Sequence, residues 1–421
     1  MGPKTKTAAI HLGLFLVTLV TMTLAGGEWT FSKYITSPSY TLDDFLAGFA
    51  FSVPFLTFLT THEFGHYFTA RWHKIKTSLP YFIPFWLAFV PSIGTFGAVI
   101  RIKERISSRR VNFDIGIAGP LAGFVVSIGV LFYGFTHLPE QEYLFQIHPE
   151  YEQYGSEYAE HVYEAQHLFS QDSILIQQLL IQDSLAHVAS DTASREAWVR
   201  PEINREEAEY PLLYVGSNLL FRFFETYVVS DKSRIPNRYE MYHYPWLFAG
   251  FLALFFTALN LTPIGQLDGG HILYGLVGPK WHRIIASVAL VTMVFYAGLG
   301  LLSPHELKGD SWAPLKIGGY IWFLLIVFSR LKISTQWRII LALSIFVIQF
   351  GWAFLNPDVL GYPGWLLFAF LVGRVLGVDH PVPIDDRPLD LQRKILGWVA
   401  VIIFILCFSP APLGAFIIEL P

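Results

Sequence analysis

The sequence comprises 421 residues, of which 53% are hydrophobic, 16% are aromatic and only 15% are charged. In soluble domains about a quarter of the residues are charged. This composition therefore excludes an ordinary soluble protein and predicts a polytopic protein embedded in a lipid bilayer. The net charge of −4 offers no basic surface for nucleic acid. The single cysteine, Cys407, excludes an internal disulfide and a cysteine-rich metal site.

Apolar runs of about 17–25 residues, long enough to cross a bilayer, recur along the chain. The expected fold class is therefore an all-α polytopic membrane protein with roughly eight to nine transmembrane helices, the last two of them short. The predicted spans are 7–26, 45–70, 113–135, 243–262, 283–303, 316–331, 337–355, 363–378 and 394–409.

The orientation is predicted from charge. The first run follows Lys4 and Lys6 without a clear small-residue cleavage site, so we expect a retained first helix rather than a signal peptide. No Arg- and Ser-rich transit segment precedes it, which favours a bacterial inner membrane. About eight basic residues and one acid, Glu104, lie between Arg71 and Arg110. The positive-inside rule places that loop in the cytoplasm.

The second span carries a His-Glu-x-x-His pattern, formed by His62, Glu63 and His66. Residues four apart share one face of a helix, so the two imidazoles can bind one ion. Glu63 beside them is placed as the general base of a zinc hydrolase. The alternative is two buried histidines that are satisfied by hydrogen bonds. Ionisable side chains inside a membrane helix usually mark a functional site, which favours the zinc interpretation.

Two segments of the membrane region contain unusual numbers of glycines or prolines. Residues 80–100 are apolar but interrupted by prolines and glycines, which predicts a re-entrant loop or hairpin rather than a straight helix. A kinked helix pair is the alternative. In the third span, Gly116, Gly119 and Gly123 predict close helix packing, with a role beside the site as a secondary expectation.

Residues 136–242 form a polar insert in which acids outnumber bases by roughly eighteen to seven. Apolar patterns at Ile174–Ile181 and around Leu212 to Tyr227, together with a scarcity of glycine, predict a helical domain on the non-cytoplasmic side. We interpret its charge as a solvated face rather than as a ligand site.

The fourth span leads into Asn260, Pro263, Gly265 and Asp268. About 25 residues of partly helical chain return Asp268 to the depth of His62 and His66. A carboxylate there completes a His-His-Asp set with one open position, the arrangement of a catalytic zinc site. The alternative is a capping or salt-bridged aspartate.

A late polar loop, 379–390, raises a further alternative. His380 with Asp385 could bind metal, but the proline spacing provides no helical ligand pair and favours a rigid cytoplasmic connection.

The two motifs, His62-Glu63-Phe64-Gly65-His66 and Asn260 through Pro263 to Leu267-Asp268-Gly269, together resemble the paired signatures of the site-2 protease family, peptidase family M50. The resemblance covers roughly 44–135 and 243–280. It implies one zinc ion per chain on His62, His66 and Asp268, with Glu63 as base. It also suggests that Asn260 orients the substrate or stabilises the oxyanion.

The function implied by the resemblance is hydrolysis of peptide bonds in or near transmembrane segments of membrane proteins. A prenyl-protein endopeptidase, a transporter and a non-catalytic scaffold are the alternatives. The expected organisation is a first helix and external loop (1–43), two halves of a catalytic core (44–135 and 243–303), the insert between them (136–242) and C-terminal helices (304–421). The active site is expected toward the cytoplasmic side, and the oligomeric state is not predicted.

Overall fold

The computed structural model describes residues 3–88, 92–163 and 209–419. Long apolar helices dominate it, because a backbone in lipid must satisfy its own polar groups. The helices are α1 Pro3–Phe31, α2 Leu42–Ala47, α3 Phe49–Trp72, α4 Arg109–Thr136, α5 Glu142–Ile147, α6 Tyr158–Val162, α7 Leu219–Tyr227, α8 Pro245–Leu261, α9 Asp268–Ala297, α10 Ala313–Val327, α11 Thr335–Leu355, α12 Gly364–Phe370 and α13 Leu391–Cys407.

Within the described residues, five helical segments are long and apolar enough to cross a membrane. They are Thr7–Phe31, Leu42–Trp72, Arg109–Thr136, Ala313–Arg330 and Thr335–Leu355, and the apolar helices Pro245–Leu261 and Gly364–Leu376 are shorter. This pattern is that of an integral membrane protein. The expected total of eight to nine spans, like the division into domains, stays a prediction.

The half of the bundle that carries the His-Glu-x-x-His pattern is built on α3 and α4, which pack along each other, with α8 against both and α9 against α4. Aromatic side chains fill the space between them. The rings of Phe51 and Phe248, for example, stack at 5.5 Å, and both side chains are almost fully buried. Such rings bury large apolar areas and prefer offset contacts. They hold α3 and α8 at a fixed spacing.

The segment between α3 and α4 forms a hairpin, as the prolines and glycines of 80–100 predict. Strand β1, Tyr81–Pro84, pairs antiparallel with β2, Thr95–Val99, with Phe82 opposite Ala98. Strand β1 contacts helix α1, whereas strand β2 contacts helix α3. Residues 89–91 fall outside the described part of the chain.

The mainly helical composition agrees with the expected all-α membrane class, but the insert, expected to be helical, contains one strand. Residues Glu209–Val215 form a strand, β3, which pairs antiparallel with β4, Leu413–Glu419. The expected helix follows only at Leu219–Tyr227. Pro211 disfavours a helix interior, and the pairing that stabilises the strand comes from the far end of the chain. The predicted helical pattern at 174–181 lies outside the described residues.

The late loop 379–390 acts as a connection rather than a metal site. The Asp385 backbone accepts from Arg109 N–H and donates to Ser107 O, at 2.9 and 2.8 Å. The Arg387 guanidinium hydrogen-bonds the Asp385 carboxylate and lowers its pKa to about 2. Asp385 is thus paired elsewhere and forms no metal-ligating group with His380 among the described residues.

Candidate active site

His62 and His66 lie on the buried face of α3, where the helical repeat brings their rings together. Their Nε2 atoms are 3.1 Å apart. Nδ1 of His66 donates to the carbonyl oxygen of Ile115 at 2.7 Å. This bond leaves Nε2 of His66 free to bind a metal, as outer hydrogen bonds commonly do for metal-ligating histidines.

Asp268 joins the two histidines from the first residue of α9. The chain leaves α8 at Leu261 and turns through 262–267, where Gly265 has a φ of +59° and a β-carbon would lie 2.1 Å from the carbonyl oxygen of Gly377. This turn, which few residues other than glycine could make, directs Asp268 back toward α3. Its Oδ2 lies 3.4 Å from Nε2 of His62 and 3.2 Å from Nε2 of His66.

The three ligand atoms fit a zinc ion. Tetrahedral bonds of about 2.0–2.1 Å place neighbouring ligand atoms about 3.3–3.4 Å apart, close to the three separations found here. Two imidazoles and one carboxylate are a donor set that zinc accepts, with a fourth position left open. The structure therefore brings together His62, His66 and Asp268, the three ligands that the sequence predicts.

Glu63 and Asn260 face the same space. A cavity of about 290 Å³ is lined by Glu63, Asn260 and all three ligand residues. Glu63 is buried, and Nδ2 of Asn260 lies 3.4 Å from Nε2 of His62. Both residues are thus within the site, and their catalytic roles stay predictions.

The hairpin forms one wall of this cavity. Ala98, Val99 and Ile100, at the end of β2, line it together with the ligand residues. Among the described residues β2 pairs with β1 alone, so its second edge has no strand partner there. An edge of this kind offers backbone donors and acceptors to another extended chain.

The glycine face of α4 sets how closely the other helices approach. A β-carbon at Gly119 would lie 2.1 Å from Nε2 of His66, and one at Gly116 would lie 2.7 Å from Cβ of His271. At Gly123 it would lie 2.9 Å from the ring of Phe58. The packing interpretation of these small residues is confirmed, and the packing is against the candidate site itself.

A row of hydrogen-bonded polar side chains lies behind the site, and the sequence predicted only part of it. Nε2 of His380 lies 2.7 Å from Nδ1 of His271 and 3.0 Å from Nδ2 of Asn112. His271 and Asn112 also line the cavity. The sequence singled out His380 only together with Asp385, as an alternative metal pair in the late loop. Asn112 carried no signal, because its importance depends on a contact 268 residues away.

Comparisons with known proteins agree with this geometry. The family model described as peptidase family M50 matches residues 50–303. A probable chloroplastic zinc metalloprotease of Arabidopsis thaliana, EGY1, is 25% identical over 64% of this chain and 37% of its own length. The similarly named EGY2 of Oryza sativa subsp. indica is 26% identical over 63% of this chain and 33% of its own length. The chain thus spans about a third of the length of these relatives. No solved structure matches significantly.

Proposed function

From the premise that this chain belongs to peptidase family M50, we propose that it is an intramembrane zinc metalloprotease that hydrolyses peptide bonds in or near transmembrane segments. The observation that carries the proposal is the convergence of His62, His66 and Asp268, with Glu63 in the same buried cavity. The names of its relatives, probable zinc metalloproteases, support the same chemistry.

One ion per chain is proposed at this site. A zinc ion held by the three ligands would polarise the scissile carbonyl and make a nearby water more acidic. Glu63 accepts a proton from the attacking water on a carboxylate oxygen and then delivers it to the nitrogen of the leaving amine. The water oxygen bonds to the carbonyl carbon as the C–N bond breaks. Asn260 is placed to donate a hydrogen bond to the oxygen of the attacked carbonyl.

The substrates we propose are membrane proteins with transmembrane segments. A helical segment holds its carbonyls in internal hydrogen bonds, so it must unwind before one of them can be attacked. The unpaired edge of β2 beside the ligands is suited to hold the unwound segment in extended form, by strand addition. Ala98 and Val99 lie on that edge and line the cavity.

The alternative functions are less well supported. A prenyl-protein endopeptidase typically has a glutamate as its third ligand, whereas Asp268 occupies that position here. A transporter would more often show an internal repeat, which the sequence lacks. We further propose that the site lies toward the cytoplasmic face, on the strength of the basic loop 71–110; a bacterial inner membrane stays an expectation. The named relatives are chloroplastic.

The test is cleavage of a panel of single-span proteins by the purified chain in detergent, with zinc measured in the same samples. Glu63→Gln should keep its zinc, because Glu63 is not a ligand, and should lose about 10²–10⁴-fold in turnover, the usual contribution of a general base. Wild-type turnover by that variant would remove Glu63 from the mechanism. Absence of cleavage by the zinc-loaded wild type across the panel would count against protease function.

A further inference from the structure

A second cluster of metal-ligating side chains lies far from the candidate active site. His148 follows α5 within the insert, and Glu240 and His243 precede α8. Their nearest ligand atoms all lie within 4.8 Å of one another. Nε2 of His148 is 3.2 Å from Nε2 of His243, and Oε2 of Glu240 is 3.2 and 3.8 Å from the Nε2 atoms of His243 and His148.

One oxygen of the buried Glu240 carboxylate lacks a hydrogen-bond partner among the described residues. Glu240 is 2% exposed and His243 is fully buried. Oε2 of Glu240 has no hydrogen-bond partner, and no lysine or arginine pairs with this carboxylate, among the residues that the structure describes. A buried charge is costly unless it is paired or bound to a metal. The two imidazole nitrogens facing Oε2 suit a shared cation.

Outer hydrogen bonds hold all three side chains in the orientation of metal ligands. Nδ1 of His243 donates to the carbonyl oxygen of Thr30 at 2.7 Å, and Nδ1 of His148 faces Oε1 of Glu150 at 3.2 Å. The hydroxyl of Tyr163 donates to Oε1 of Glu240. Each inward atom, the two Nε2 and Oε2, is therefore left for an ion. Contacts of this kind orient histidine and carboxylate ligands around metals.

We propose that His148, Glu240 and His243 bind a second divalent transition-metal ion, with zinc as the best match. Tetrahedral zinc places its ligand atoms about 3.3–3.4 Å apart, and the three separations here bracket that value. Calcium and magnesium prefer oxygen ligands, and this set has two nitrogens. The insert's acidic charge was expected to be a solvated face, and the buried Glu240 is an exception to it.

The ion would join three parts of the chain. His148 lies near the start of the insert and Glu240 near its end, His243 leads into α8, and Thr30, which accepts from His243, is in α1. A metal here fastens the insert to the membrane core. About 17 residues of α8 at 1.5 Å each separate His243 from Asn260, roughly 26 Å. The second site is therefore spatially separate from the proposed catalytic one.

The test counts zinc per chain in the purified full-length protein after dialysis. The wild type should hold two ions, and the double variant His62→Ala/His66→Ala should hold one. Adding Glu240→Gln to that background should bring zinc to near zero. Cobalt loaded into the double variant should give visible absorption bands of a protein-bound ion, and Glu240→Gln should abolish them.

Matched controls are available nearby. Glu152→Gln removes an exposed acid of the same segment, and His161→Ala removes an exposed histidine. Both should retain the second ion. If Glu240→Gln does not fold, the milder His148→Ala, at a side chain that is 22% exposed, should still lower zinc content. A double variant that binds no zinc or cobalt, or the same zinc content with and without Glu240, would overturn the proposal in favour of a proton shared between Glu240 and His243.

Discussion

The absence of a side chain at Gly119 is a tight structural requirement of the candidate active site. At Gly119 a β-carbon would lie 2.1 Å from Nε2 of His66, the atom that would bind the ion. No real contact is that short, so α4 could approach α3 only where this position is glycine. This explains why small residues at 116, 119 and 123 carry functional as well as packing information.

Gly119→Ala should therefore impair the metal site without unfolding the protein. Zinc bound at His62, His66 and Asp268 should fall, and proteolysis with it, because the new methyl group displaces His66. Gly129→Ala in the same helix is the matched control, since nothing lies within 4 Å of its β-carbon. That control should keep its zinc and be unchanged or stabilised by up to about 1 kcal/mol. Full zinc occupancy and activity in Gly119→Ala would mean that the helices separate easily.

Asp268→Ala should lower the zinc content at the active site, since a methyl group cannot coordinate. Metal analysis of the variant is best made in a Glu240→Gln background, so that only one site is counted. His271, one turn further along α9, hydrogen-bonds His380 and is the first place to look for a substitute ligand. Unchanged zinc in the variant would transfer the ligand role away from Asp268.

Spacing within one helix made part of the site predictable. His62 and His66 are four residues apart, so their shared face follows from the helical repeat alone. Asp268 could be placed by counting residues back across the membrane. The cluster of His148, Glu240 and His243 could not, because His148 lies 95 residues before His243 and no local pattern links it to the Glu240–His243 pair.

At the level of elements, the β1–β2 hairpin was predictable and the β3–β4 pair was not. The prolines and glycines of 80–100 exclude a straight helix, and a hairpin needs only neighbouring residues. Strand β3 instead depends on β4, about 200 residues later in the chain. A two-stranded pair has little stability on its own, so local sequence could not reveal it.

The free edge of β2 makes a testable prediction about substrate binding. Single cysteines at positions 96–100, paired with cysteines in a trapped substrate, should crosslink with a period of two, since strand side chains alternate faces. The only native cysteine, Cys407, is fully buried and should not interfere. Cysteines at 81–83 in β1, which lies against α1, are the control and should not crosslink. A period near 3.6 would indicate that the substrate stays helical.

At the scale of the whole molecule, the insert begins and ends side by side. It leaves α4 at Thr136 and enters α8 at Pro245, and Gly134 packs against Leu247. The membrane core can therefore close around the same gap without the insert. The insert over 136–242 stays a prediction from composition, which gave no sign of the contacts with α1 and the C-terminal strand.

Replacing 137–242 with a short flexible linker should leave zinc at His62, His66 and Asp268, because loop-closure entropy changes slowly with length. We expect cleavage to extend to substrates with larger extramembrane domains, since the insert would no longer limit their approach. The measurement is the cleavage rate as a function of the size of the substrate's extramembrane domain. The replacement removes β3 and leaves β4 without its partner, so a parallel control also lacks β4. Unchanged selectivity in a folded, zinc-bound variant would rule out a filter. Labelling of the insert from the cytoplasm would reverse the proposed orientation.

One rigid element, α8, connects both clusters, with His243 just before it and Asn260 in its last turn. Any influence between the two ends must obey thermodynamic reciprocity. Suppose that metal bound at His243 changes the affinity of the active site, beside Asn260, for substrate by some factor. Bound substrate must then change the metal affinity at His243 by the same factor. Measuring metal release at His243 while substrate binds would thus test whether the two sites are coupled, without observing cleavage.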